Sequence, residues 1–184
     1  YQWNDGTSYT GNWVAGKVNG DGVFTSGSCK LEGNFSDNKL VSGKSIMFSE
    51  SAEVTFNVSE GVVDYSNVTV LFDDNTRYNG EWDNGITGKG TIDFANGDTY
   101  TGSLQLGKFS GSGIYTWKNG FSYDGDWSDN MMNGEGTYFY VSDKSRYIDG
   151  KFENNKPVGE LKYLYEDHEY TTIWNNGQCS EIIY

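Results

Sequence analysis

Glycine and aromatic residues recur along this chain at a fixed spacing, and that spacing constrains the fold more than any local propensity does. From Tyr9 the marked positions are Tyr9, Gly11, Trp13, Gly16, Gly20, Gly22, Phe24 and Gly27. The pattern has a period of about twenty-two residues. It returns as Tyr78, Gly80, Trp82, Gly85, Gly88 and Gly90, and more fully as Tyr100, Gly102, Leu104, Gly107, Gly111, Gly113, Tyr115, Trp117 and Gly120. Tyr123, Gly125, Trp127, Asn130, Gly134, Gly136 and Tyr138 follow. Degenerate units keep the phase: Leu31, Gly33, Phe35 and Asn38; Ile148, Gly150, Phe152, Asn155 and Gly159; and Tyr170, Thr172, Trp174 and Gly177. Residues 54–77 fill the space of one more unit with few of the marked residues. Trp3, Gly6 and Tyr9 fall as Trp117, Gly120 and Tyr123 do, so residues 1–8 are expected to be the tail of a repeat that begins upstream.

One unit read residue by residue predicts a hairpin. In Tyr100, Gly102 and Leu104 the marked residues alternate with Thr101, Ser103 and Gln105, a period of two that belongs to a strand and not to a helix. Gly113, Tyr115 and Trp117 make a second alternating run, and Gly107 to Ser110 between them is short enough for a hairpin loop. Lys118, Asn119 and Gly120 are expected to turn into the next hairpin, with Asn-Gly suited to positive φ. Glycine inside strands lowers their stability, so it needs a packing reason. Without a Cβ at Gly102, Gly111 or Gly113, a neighbouring Tyr or Trp ring can lie flat on the backbone and replace the second layer that most sheets require.

The order Tyr-x-Gly-x-Trp-x-x-Gly-x-x-x-Gly-x-Gly in these units resembles the MORN repeat, carried here over about eight tandem units. The resemblance implies an all-β fold: an elongated, twisted, antiparallel single-sheet solenoid of consecutive β-hairpins, one continuous array over residues 1–184. It also implies a non-catalytic module, since such arrays are associated with protein assembly and with positioning at membranes. Similar repeats accompany some lysine methyltransferases and lipid kinases, which leaves open an accessory array of a larger enzyme. The sequence departs from the pattern at 54–77, where a regular surface is not expected, and at the insertion Val141–Arg146.

Charge narrows the partners. The chain carries 26 acidic and 13 basic residues, a net charge of −13, with no Lys/Arg cluster. Nucleic acid is excluded on that ground, contact with anionic membrane is not expected, and a neutral or basic protein or peptide fits better. At 35% hydrophobic residues the core is thin, but 14 Tyr, 10 Phe and 6 Trp supply large buried areas per residue. No apolar run approaches the length of a membrane span, and no signal-peptide core stands at the start. Since the chain opens on Tyr1, a targeting or anchoring segment upstream is left open, and with it a cytoplasmic or a bacterial extracytoplasmic location.

Chemical motifs are sparse. Gly102 with Gly107-Lys108 has phosphate-loop spacing, but Phe109 stands where Ser or Thr must hold the metal. The Gly-x-Gly pairs recur with the repeat and open no helix. His168 is the sole histidine, within the charged run Glu166–Glu169, which reads as a solvated loop. Cys29 and Cys179 lie far apart in a linear array, on the order of 50 to 60 Å at roughly 4.8 Å per strand, so two free thiols are expected. Asp73-Asp74 and Asp124 with Asp126 lack a calcium-loop pattern, and Asn34, Asn57 and Asn67 head Asn-x-Ser/Thr sequences of the kind chance supplies. No catalytic, cofactor or metal residues are therefore assigned.

What remains is the periodic aromatic face, rimmed by acids: Tyr9, Trp13, Tyr78, Trp82, Tyr100, Tyr115, Trp117, Tyr123, Trp127 and Tyr138. These rings hold the sheet together and are also the candidate interaction face. Exposed rings stack on sugars as well, so a carbohydrate or cell-wall binding role is the alternative; the Trp-Tyr-Tyr runs of choline-binding cell-wall repeats are absent.

Overall fold

Period-two alternation makes strands of most of the chain, and every assigned pairing between them is antiparallel. The computed structural model describes residues 1–183 and contains no helix among them. The strands fall into two compact units, divided after Asp83. The first holds β1 (Ser8–Val14), β2 (Lys17–Thr25), β3 (Cys29–Ser36), β4 (Lys39–Phe48), β5 (Ala52–Ser59), β6 (Val62–Phe72) and β7 (Arg77–Trp82). Each pairs with the next in sequence. The second holds β8 (Ile86–Asp93), β9 (Thr99–Gln105), β10 (Lys108–Thr116), β11 (Ser122–Ser128), β12 (Met131–Phe139), β13 (Tyr147–Glu153), the stub β14 (Lys156–Pro157), β15 (Gly159–Tyr165), β16 (His168–Asn175) and β17 (Gln178–Ile183). Its strands also pair in sequence, with β13 flanked by β14 and β15 together.

Turn chemistry sets the hairpins. Leu106-Gly107, Ala15-Gly16, Asp37-Asn38 and Asp129-Asn130 are two-residue loops in which both φ angles are positive. Such loops match the twist of the flanking strands. The loop expected over Gly107–Ser110 is thus shorter and earlier, and β10 begins at Lys108. The following turn also differs from expectation. Gly120 N donates to Trp117 O (2.8 Å), and only Gly120, not Asn119, has positive φ. Asn119 acts through its side chain instead, accepting from Phe121 N (3.0 Å).

The asparagine turns also join one hairpin to the next. Asn38 accepts from Val18 N through Oδ1 (2.8 Å) while its own amide donates to Val18 O (3.1 Å). Asn130 holds Phe109, and Asn155 holds Met132, in the same two-way manner. Each turn is pinned to the second strand of the preceding hairpin, which fixes the stacking of repeats.

Glycines face one another across the strands. In the first unit Gly11, Gly22, Gly33 and Gly43 stand opposite in turn, and the row ends at Val58. In the second, Gly90, Gly102, Gly113, Gly125, Gly136 and Gly150 form the same row. Tyrosine rings lie in the channel this leaves. A Cβ on Gly113 would fall 2.6 Å from Tyr100 Cζ, and one on Gly136 would fall 2.7 Å from Tyr123 Cε2. Gly111 serves otherwise: its Cβ would meet only ordinary contacts at Ser103, but its φ of +70° sits at a break in register between Phe109 and Gly113. That glycine supplies a β-bulge, not room for a ring.

Across residues 54–77, strand pairing continues. β5 and β6 form a hairpin on a Glu60-Gly61 turn, paired to β4 on one side and β7 on the other. Buried Phe56 and the β-branched Val58, Val68 and Val70 replace the ring-over-glycine packing and hold the strands without an empty channel.

Candidate interaction site

The first tyrosine of each well-formed unit is inside. Tyr9, Tyr78, Tyr100 and Tyr123 are at most 1% exposed, and each hydroxyl donates to the carbonyl three residues on: Asn12, Glu81, Ser103 and Asp126. The hydroxyl is thereby satisfied without water, and the ring contributes about 2–3 kcal/mol of burial. Loss of water pushes the Tyr78 and Tyr100 hydroxyls up to about 12 and raises Tyr123 as well, so none serves as a base at neutral pH. Trp127 is also buried, its Nε1 donating to Gly113 O (2.9 Å). These five residues of the expected face build the sheet and are almost wholly covered by it.

The other five divide. Trp82, Tyr115, Trp117 and Tyr138 are half-buried, and Trp13 is 43% exposed. Trp82 sits edge-on to Phe56 (5.8 Å), while Tyr115, Trp117 and Tyr138 form a chain of tilted rings at 4.9 and 5.3 Å. Tyr115 is further tied by its hydroxyl to Asp98 Oδ2 (2.6 Å). Asp98 is buried, accepts also from Lys118 N (2.8 Å) and Asn96 Nδ2 (2.9 Å), and is held below the usual carboxylate range chiefly by the Tyr115 hydroxyl. It is an acceptor that staples one inter-hairpin turn to the next.

Trp13 and Trp127 occupy the same place in their repeats with different surroundings. Trp127 is covered by Phe109 (5.2 Å) and Tyr100 (5.7 Å) of the preceding hairpin. Trp13 has Tyr1 (6.2 Å) and Trp3 (6.4 Å) near it instead, and an open groove remains. The groove measures about 780 Å³ and is walled by Trp3, Tyr9, Trp13, Phe24, Leu31 and Phe35, with Tyr1 and Val18 alongside. Sequence reasoning assigned Trp3, Phe24, Leu31 and Phe35 to the repeat but not to the face. The signal was available for three of them, because Phe24, Leu31 and Phe35 share the strand face of Tyr9, whereas Trp3 precedes β1. At the Asn38 end Lys17 pairs with Asp37 (2.9 Å), so the acidic rim is partly neutralised there.

Groups suited to covalent or metal chemistry do not gather. Among the described residues no set of three His, Cys, Asp or Glu side chains converges as metal ligands. Exposed His168 turns Nδ1 to Glu166 O (2.8 Å) at the head of β16, and Cys29 and Cys179 are both free thiols.

The MORN-repeat family model matches residues 9–28, 78–99, 100–122 and 123–144. Every matched stretch begins on one of the four buried tyrosines whose hydroxyl caps the carbonyl three residues on. No curated protein matches the chain. Repeats of this family commonly contact proteins or membranes and are generally non-catalytic. The chain is a MORN-repeat protein, built from hairpins that pack tyrosine over paired glycines.

Proposed function

We propose that this protein is a non-catalytic interaction or scaffolding module, and that the Trp13 groove grips apolar side chains of a protein or peptide partner. The observation carrying this reading is the exposed indole of Trp13 beside a ring-walled groove of about 780 Å³. An aromatic or branched side chain from a partner packs on the exposed face of the Trp13 indole. The net charge of −13 favours neutral or basic sequences around that anchor and opposes anionic lipid. Carbohydrate stacking on the same rings is the second reading, since indole faces suit sugars too.

Panning a displayed peptide library separates these readings when glycan arrays and anionic vesicles are run in parallel. Peptides that share an apolar anchor, and that lose at least about tenfold in affinity to Trp13→Ala with the fold intact, support the proposal. Glycan binding lost in Trp13→Ala, or co-sedimentation with anionic vesicles at low salt, would replace it.

A further inference from the structure

In the second unit both departures from the repeat meet at one pocket. One is the insertion Val141–Arg146, which delivers Arg146. The other is the loss of the row glycines near the end of the chain, where Leu161 stands opposite Thr172. Both side chains are about 1% exposed and fill the channel that elsewhere takes a tyrosine ring. Thr172 Oγ1 donates to Leu161 O (2.9 Å) and accepts from Trp174 Nε1 (2.8 Å), locking the indole in place. Tyr163 stands in the cross-strand row of Tyr115 and Tyr123 but stays half-buried. A pocket of about 380 Å³ results, walled by Tyr140, Tyr163 and Trp174, with Thr172, Arg146 and Cys179 at its edges.

That volume suits a small ligand, and among the described residues Arg146 is the one charged side chain lining it. Its guanidinium lies 4.4 Å over the Tyr165 ring, and none of the described acids forms an ion pair with it. Asp143, in the same loop, is engaged by Ser145 through the backbone N (3.0 Å) and Oγ (2.7 Å). The Ser145 hydrogen bonds and, through space, Arg146 hold the Asp143 carboxyl below its usual range. Arg146 makes no direct ion pair with it, so its exposed guanidinium keeps donors free beside the aromatic pocket.

We propose that this pocket binds a small carboxylate with a flat aromatic body, the rings stacking on the body and Arg146 pairing with the carboxylate. The probe is indole-3-propionate, and indole-3-propionamide is its uncharged match. Binding is read by the rate of Cys179 alkylation with N-ethylmaleimide, with Cys29 in the first unit as internal control, the two resolved by peptide mass spectrometry. The acid is expected to slow Cys179 about tenfold at saturation and to leave Cys29 unchanged, with the amide needing about tenfold more for equal protection. Arg146→Gln, an exposed loop change that spares the core, abolishes the difference between acid and amide, and Arg146→Lys keeps part of it. Equal protection by acid and amide, slowing of both cysteines alike, acid preference surviving Arg146→Gln, or no protection up to about 10 mM would each overturn the proposal.

Discussion

A side chain at position 113 is the smallest change that probes how a sheet packs on its own tyrosines. Tyr100 is fully buried and stacked on Phe109 with centroids 3.9 Å apart, so it cannot give way to a Cβ on Gly113. Gly113→Val is therefore expected to cost about 3 kcal/mol, against within about 0.5 kcal/mol for Ser103→Val on a half-buried strand position. In a Tyr100→Ala background, the Gly113 change becomes much cheaper, because the clash is with that ring. Urea unfolding of the four proteins decides the matter; equal losses for the two valine variants would remove the ring-over-glycine account. The packing role of Gly102 and Gly113 was legible in the sequence, from glycines alternating with polar residues beside tyrosine. Gly111 was not, because spacing alone does not separate a bulge glycine from a channel glycine.

At the scale of elements, turns carry the couplings between hairpins. Asp98 joins the Asn96-Gly97 turn to Tyr115 and Lys118, and its pKa is depressed in the fold. A depressed carboxylate contributes stability that is present above its unfolded pKa near 3.8 and lost as pH falls through the lower folded value. Asp98→Asn should thus lower stability at pH 7 by about 1–2 kcal/mol, and the gap to the parent should close below pH 3.8. Thermal unfolding followed by circular dichroism over that range checks both parts; a gap independent of pH would contradict them. The strands and their hairpin order were readable from the period of two. The exact loops were not, since Leu106 takes a positive φ that its side chain does not advertise. The hairpin of residues 54–77 was readable only as the space of one more unit, because valines in β5 and β6 stand in for most markers of the repeat while keeping its pairing.

On the scale of the molecule, the Arg146 pocket lies where the repeat rule lapses. It is a repeat without its glycines. Consensus positions hold buried rings and accessible rings alike. Consensus measures what the fold needs, and accessibility depends on neighbours that a single repeat does not reveal. The underlying claim is that one hairpin is an interchangeable unit, joined only to its neighbours. Excising residues 100–122 tests it, because Thr99 then runs into Tyr123 in phase and Gly125 takes the place of Gly102 opposite Gly90. The shortened protein is predicted to unfold in a single transition, with a melting temperature within about 10 °C of the parent. Excising only residues 100–111, about half a period, reverses strand direction and should abolish folding of the second unit. Equal damage from the two deletions, or equal tolerance of them, would contradict the account.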